Sequence, residues 1–66
     1  MVSDAFTRRL RAYRKLKHMT QQEFARAMGV SMAVVGGMER GTRTPTEREI
    51  ERMTELLHVT RAELGL

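Results

Sequence analysis

Cysteine is absent from this 66-residue chain, which rules out a disulfide framework and any thiolate metal site. That absence suits a reducing compartment. Long apolar runs are missing as well. The longest weakly polar stretch, Ala27 to Met38, has 12 residues and includes Ser31, too short to cross a bilayer. Met1-Val2-Ser3-Asp4 carries no apolar h-region, so no signal peptide is expected. Nothing alternates like a strand, and there are no repeats, low-complexity tracts or long linkers. A chain this short buries only about 60% of its unfolded surface, so one domain, residues 1–66, is expected.

Catalytic constellations are equally scarce. The serines are Ser3 and Ser31, and Ser31 is better placed as a helix cap. His18 and His58 have no ligand-type partner at i+3 or i+4, so no metal site is called for. Gly36-Gly37 is not followed by the Gly-Lys-Ser/Thr of a phosphate loop. Neither an enzyme nor a cofactor is expected.

What the chain does have is charge, unevenly placed within a net +4. Arg8, Arg9, Arg11, Arg14, Lys15 and Lys17 face only Asp4 in residues 1–18. Residues 45–66 are acidic, with Glu47, Glu49, Glu51, Glu55 and Glu63 against Arg48, Arg52 and Arg61. A basic half points to nucleic acid, to a lipid surface, or to nothing more than a solvated face. The lipid reading needs the first helix on a membrane, but its apolar stripe, Phe6, Leu10 and Tyr13, is the core face that so small a domain requires. No membrane partner is expected.

The chain is punctuated by helix starts. Thr20-Gln-Gln-Glu23, Thr46-Glu-Arg-Glu49 and Thr60-Arg-Ala-Glu63 each fit a capping box. Met19 with Phe24, Pro45 with Ile50, and Val59 with Leu64 stand at staple spacing around those caps. Ser31 is a fourth cap, with Val30 and Val35 as its pair. Gly29 and Gly41 stand where left-handed residues end helices. With the periodic positions between them, these signals predict five helices near 4–17, 21–28, 32–40, 47–57 and 61–65.

Residues 21–40 read as two short helices joined by a tight turn. Ala25 is small enough for a close crossing, and Gly29 supplies the positive φ. Phe24, Met28, Val30, Val35 and Met38 fill the angle, and Ser31 restarts the chain. Those offsets meet every requirement of a helix-turn-helix. A plain helical hairpin needs fewer of them.

Met19-Thr-Gln-Gln-Glu-Phe-Ala25, Met28-Gly-Val-Ser31, Met38-Glu-Arg-Gly41 and Arg43-Thr-Pro-Thr46 together resemble the Cro/C1-type, or XRE, helix-turn-helix family of bacterial and phage repressors. The resemblance covers nearly the whole chain. It implies an all-α, compact five-helix, lambda-repressor-like domain that binds double-stranded operator DNA as a homodimer in the cytoplasm, nucleoid-associated, with the motif's second helix in the major groove. The DNA-contacting positions it implies are Thr20, Gln21 and Gln22 at one helix start and Ser31, Met32, Ala33, Val34, Gly36 and Gly37 on the recognition helix. Arg40, Thr42, Arg43 and Thr44 follow, beside the DNA backbone. It also implies a structural salt bridge between Arg14 and Glu39. Leu57, Val59, Leu64 and Leu66 supply either a dimer seam or, for the first three, core.

The chain departs from the family at the positions that read bases. Met32, Ala33 and Gly37 stand where polar side chains are usual, so bidentate contacts to base edges are lacking there. Three readings stay open. The face reads thymine methyls, with Gly36 and Gly37 admitting close backbone approach and DNA shape adding specificity. Segments such as Ala33-Val-Val-Gly36 with Glu39-Arg-Gly41 are similar to recognition segments of some actinobacterial developmental regulators, in keeping with that reading. Alternatively the basic residues bind DNA with little sequence preference. Or the methionine-bearing face docks a protein partner, making the chain a protein-interaction module.

Overall fold

Four helices, α1 (Asp4–Leu16), α2 (Gln21–Met28), α3 (Met32–Arg40) and α4 (Glu47–Leu57), make up the computed structural model, which describes residues 3–66. Met1 and Val2, the first residues of the expected domain, lie outside the described residues. Among the described residues there is no strand.

Each helix begins on a hydroxyl that accepts from the N3 amide. Thr20 caps α2 at 3.0 Å, Ser31 caps α3 at 3.3 Å and Thr46 caps α4 at 3.1 Å. Ser3, unassigned from the sequence, caps α1 at 3.2 Å. In α2 and α4 the boxes are complete, because Glu23 and Glu49 accept in return from the cap amides. The ends follow two chemistries. Gly29 (φ +75) closes α2, with Val30 N donating to Ala25 O at 3.0 Å and Gly29 N to Arg26 O at 3.1 Å. By contrast α1 and α4 end on left-handed histidines, His18 (φ 58) and His58 (φ 55). Histidine visits that region more readily than most side chains, though less easily than glycine.

The expected fifth helix is a single turn. Thr60 and Glu63 do form their reciprocal cap, at 2.8 and 3.0 Å. However, Gly65 turns left-handed at φ +79 and ends the segment after one turn. A turn that short gains too few hydrogen bonds to propagate as a helix. It is held by tertiary contact instead. A Cβ on Gly65 would stand 3.1 Å from Ala5 Cβ and 3.2 Å from the Phe6 amide nitrogen, so only glycine fits against the start of α1. That docking drives Leu64 fully into the core.

The core joins all these parts: Phe6 and Leu10 from α1, Phe24, Ala25 and Met28 from α2, Val35 and Met38 from α3, then Ile50, Met53, Leu57 and Leu64. Tyr13, expected on the same face as Phe6 and Leu10, is only half-buried at its edge. Of the four candidate seam residues, Leu57 and Leu64 are spent on the core, Val59 packs half-buried against it, and Leu66 is exposed. Ala25, with its methyl side chain, is buried as α2 packs against α3. This crossing turns the first turn of α3 outward.

Candidate nucleic-acid interface

Ser31, Met32 and Ala33 stand exposed at the start of α3, and Val34 is half-buried. Gln22 and Met32 come together along a shallow groove shared with Arg26 and Val30. Arg40, Thr42 and Thr44 are exposed at the other end of α3 and in the loop that follows, as is Thr20 at the start of α2.

The glycine pair is not bare, contrary to the expectation of an open face. Both Gly36 and Gly37 are buried. Over Gly36 lies the guanidinium of Arg40, one turn on, with Nη1 2.9 Å from where a Cβ would be. Gly37 is covered by the next loop, a Cβ there meeting Arg43 Cβ at 3.2 Å and Thr42 Oγ1 at 3.4 Å. The Thr42 amide also donates to Gly37 O at 2.9 Å, so the loop is tied to the helix at that point. The two positions differ in what must yield. A flexible side chain moves off Gly36; a fastened backbone segment must move off Gly37.

That difference has a measurable consequence. Gly36→Ala should gain the helix preference of alanine, about 0.8–1.0 kcal/mol, and raise the melting temperature by roughly 4–8 °C. Gly37→Ala should show no such gain, because its Cβ presses on the loop. Thermal unfolding of the two variants side by side checks this, and equal gains would contradict the loop packing.

Behind the exposed turn, a buried polar network fixes α3 to its neighbours. Arg14 of α1 meets Glu39 of α3 in a two-point pair, Nε to Oε2 at 2.7 Å and Nη2 to Oε1 at 3.1 Å. Arg14 Nη1 also donates to Met19 O at 2.8 Å, and Gln21 Nε2 donates to Glu39 Oε1 at 3.1 Å. Both charged side chains are nearly closed to solvent, 9% exposed for Arg14 and 4% for Glu39. Burial pushes the Glu39 carboxyl up, but hydrogen bonds from Arg14 and Gln21 and the charges of Arg14 and Arg11 outweigh it and hold the group below its ordinary range. Gln21, expected to face phosphate, thus spends its amide inward, joining α2 to α3.

Arg43 is likewise engaged. Its guanidinium makes a bidentate pair with Glu49, at 2.6 and 3.0 Å, and Glu49 is also the acid of the α4 capping box. The Arg43 hydrogen bond comes first among the causes that hold the Glu49 carboxyl low, ahead of an opposing desolvation. The loop between α3 and α4 is therefore clamped to the next helix, holding Thr42 and Thr44 beside the exposed end of α3. Neither the Gln21 nor the Glu49 contact has a sequence signature, since each joins residues outside helical i, i+4 spacing.

Electrostatically the helix starts divide. Asp4, Glu23, Glu47 and Glu49 place carboxylates in the first turns of α1, α2 and α4, whereas the first turn of α3 has none. Its amides present the positive end of the helix dipole to solvent beside Met32 and Ala33. No three His, Cys, Asp or Glu side chains among the described residues gather as a metal site, and none of the described helices is long and apolar enough to cross a membrane.

Comparison with known proteins agrees with this geometry. Residues 10–64 match a family model described as helix-turn-helix. The chain is 41% identical over 65 residues to the uncharacterized HTH-type transcriptional regulator YazB of Bacillus subtilis (strain 168), covering 98% of this chain and 94% of that protein. The crystal structure of the restriction-modification controller protein C.AhdI from Aeromonas hydrophila superimposes with a TM-score of 0.82 at 33% identity, over 91% of each chain. That agreement extends to an all-helical fold among the described residues. The chain belongs to the Cro/C1-type (XRE) helix-turn-helix family of DNA-binding transcriptional regulators.

Proposed function

We propose that the chain binds operator DNA in a sequence-specific manner as a homodimer, with α3 laid in the major groove. In this reading Met32, Ala33 and Val34 meet the base edges. Ser31 and the free amides of the α3 start meet phosphate, as do Thr20 and Gln22, and Thr42 and Thr44 follow the backbone. Gln21 and Arg43 act one step back, holding α3 and its loop in place. Residues 1–66 work as a single, non-catalytic domain in the cytoplasm, associated with the nucleoid.

The observation that carries this reading is the start of α3, exposed and the one first turn among the described helices without a carboxylate. A phosphate can approach there without meeting a like charge. Two copies related by a two-fold axis would set their α3 helices about one DNA turn apart, with Leu66 and Val59 left for the seam.

Selecting bound sequences from a pool of random duplexes tests this. The expected yield is a near-palindromic motif with half-sites roughly 10 base pairs apart centre to centre. Binding with no enriched motif would remove sequence specificity. If the chain shows no salt-sensitive DNA binding at low ionic strength, the exposed Met32 face belongs to a protein partner instead.

A further inference from the structure

We infer that Arg40 is the sequence-reading group of this interface, and that Gly36 is the seat that aims it. This rests on the reading that α3 enters the major groove. The side chains of Met32, Ala33 and Val34 offer no N–H or O–H donor and no oxygen acceptor, and Glu39 is committed to Arg14 and Gln21. Arg40 is the remaining polar side chain of α3, and it is exposed.

Its placement is particular. The three atoms nearest to where a Gly36 Cβ would stand all belong to Arg40: Nη1 at 2.9 Å, the guanidinium carbon at 3.7 Å and Nη2 at 3.8 Å. The guanidinium is folded back one turn along the helix, toward Met32 and Ala33, rather than out along the loop. Any side chain at position 36 larger than hydrogen makes the guanidinium shift from that place. Moreover, Arg40 takes no part in the ion pairs among the described residues, which are Arg8–Asp4, Arg14–Glu39, Arg43–Glu49 and Arg61–Glu47. Its planar fork of donors is unspent.

An arginine fork over the outward face of a groove-bound helix matches the O6 and N7 acceptors of guanine, a two-point contact that a lone phosphate does not need. Gly37 has its nearest neighbours in the fastened loop beside it, whereas those of Gly36 are the guanidinium atoms of Arg40. The polar readout missing from Met32, Ala33 and Gly37 is supplied from the far end of the helix.

The test compares wild type with Arg40→Ala, Arg40→Lys and Gly36→Ala. Each is titrated across several salt concentrations with the duplex selected by wild type and with single base-pair changes of it. Wild type is expected to prefer a G·C pair at one position per half-site. All three variants should lose that preference by about tenfold or more. Arg40→Lys keeps the charge without the fork, and Gly36→Ala keeps the arginine but pushes it off its seat.

The inference is overturned if Arg40→Ala weakens binding equally on every duplex and lowers the salt slope by about one while Gly36→Ala changes nothing, the pattern of a phosphate contact. Operator binding itself would then still stand. Lack of salt-sensitive binding by wild type removes both readings. The two substituted positions are an exposed side chain and the glycine beneath it, and melting curves check that the three variants fold.

Discussion

Replacing Glu39 with alanine should strongly destabilise the protein. The Arg14 side chain is 9% exposed in the intact protein, and the substitution leaves its guanidinium with only Met19 O as a partner, at 2.8 Å. Breaking a buried, hydrogen-bonded ion pair from one side costs about 3–5 kcal/mol. A domain of this length has a total stability of roughly 3–10 kcal/mol, so the loss takes about a third of it or more. The melting temperature should fall by roughly 12 °C or more, or the cooperative transition should vanish. Arg14→Ala should act alike, stranding the carboxylate.

Glu39→Gln separates charge from shape, since it keeps an acceptor for Arg14. The pH dependence has a definite sign. Because the folded carboxyl is held below its ordinary value of 4.5, its ionised form favours the fold. That contribution is present above 4.5 and is lost as pH falls through the lowered folded value. Glu39→Gln should flatten this part of the acid limb. Thermal melts from neutral to acid pH measure it, and wild-type melting of Glu39→Ala at neutral pH would remove the pair from the account.

The second large effect concerns binding with the fold intact. Ala33→Glu puts a carboxylate on the exposed first turn of α3, where none stands. There it complements the helix dipole, adding about 0.3–1 kcal/mol to stability. Against a duplex it faces phosphates and the negative groove, and like-charge juxtaposition costs several kcal/mol, roughly a hundredfold in affinity or more. The variant should thus melt no earlier than wild type and fail to bind DNA. Anisotropy titration alongside thermal unfolding reads both quantities. Gly37→Glu is a poorer probe, because its side chain would first collide with the Thr42–Arg43 loop.

Much of this architecture is written locally in the chain. A capping box closes within four residues, so Thr20 with Glu23 and Thr46 with Glu49 mark their helices without help from the fold. The same box at Thr60 marks a start but says nothing of length. Gly65 sets that by docking on Ala5 and Phe6 from the other end of the chain. The ends of α1 and α4 fall where their helical spacing stops, close to the expected positions, but the residues that close them were not legible: histidine is an uncommon left-handed residue, and nothing around His18 or His58 announces it.

The site follows the same division. Ala25, Gly29 and Ser31 specify the turn by short-range geometry, so which segment faces outward was readable. What covers that segment was not. Gly36 and Gly37 look bare in sequence, and their covers are a flexible side chain one turn on and a neighbouring loop. Arg43 reads as a loop cation, yet six residues later Glu49 engages it. Arg14 and Glu39, far apart in the chain, are linked in sequence only by resemblance to the family.

The most direct test follows backbone amide chemical shifts during titration with the selected duplex. Perturbations are expected to group at residues 20–22, 31–34 and 40–44, with the shallow groove of Ala12, Tyr13, Leu16 and Ala62 largely unmoved. Perturbations centred on that groove, with Met32 and Ala33 silent, would contradict this interface.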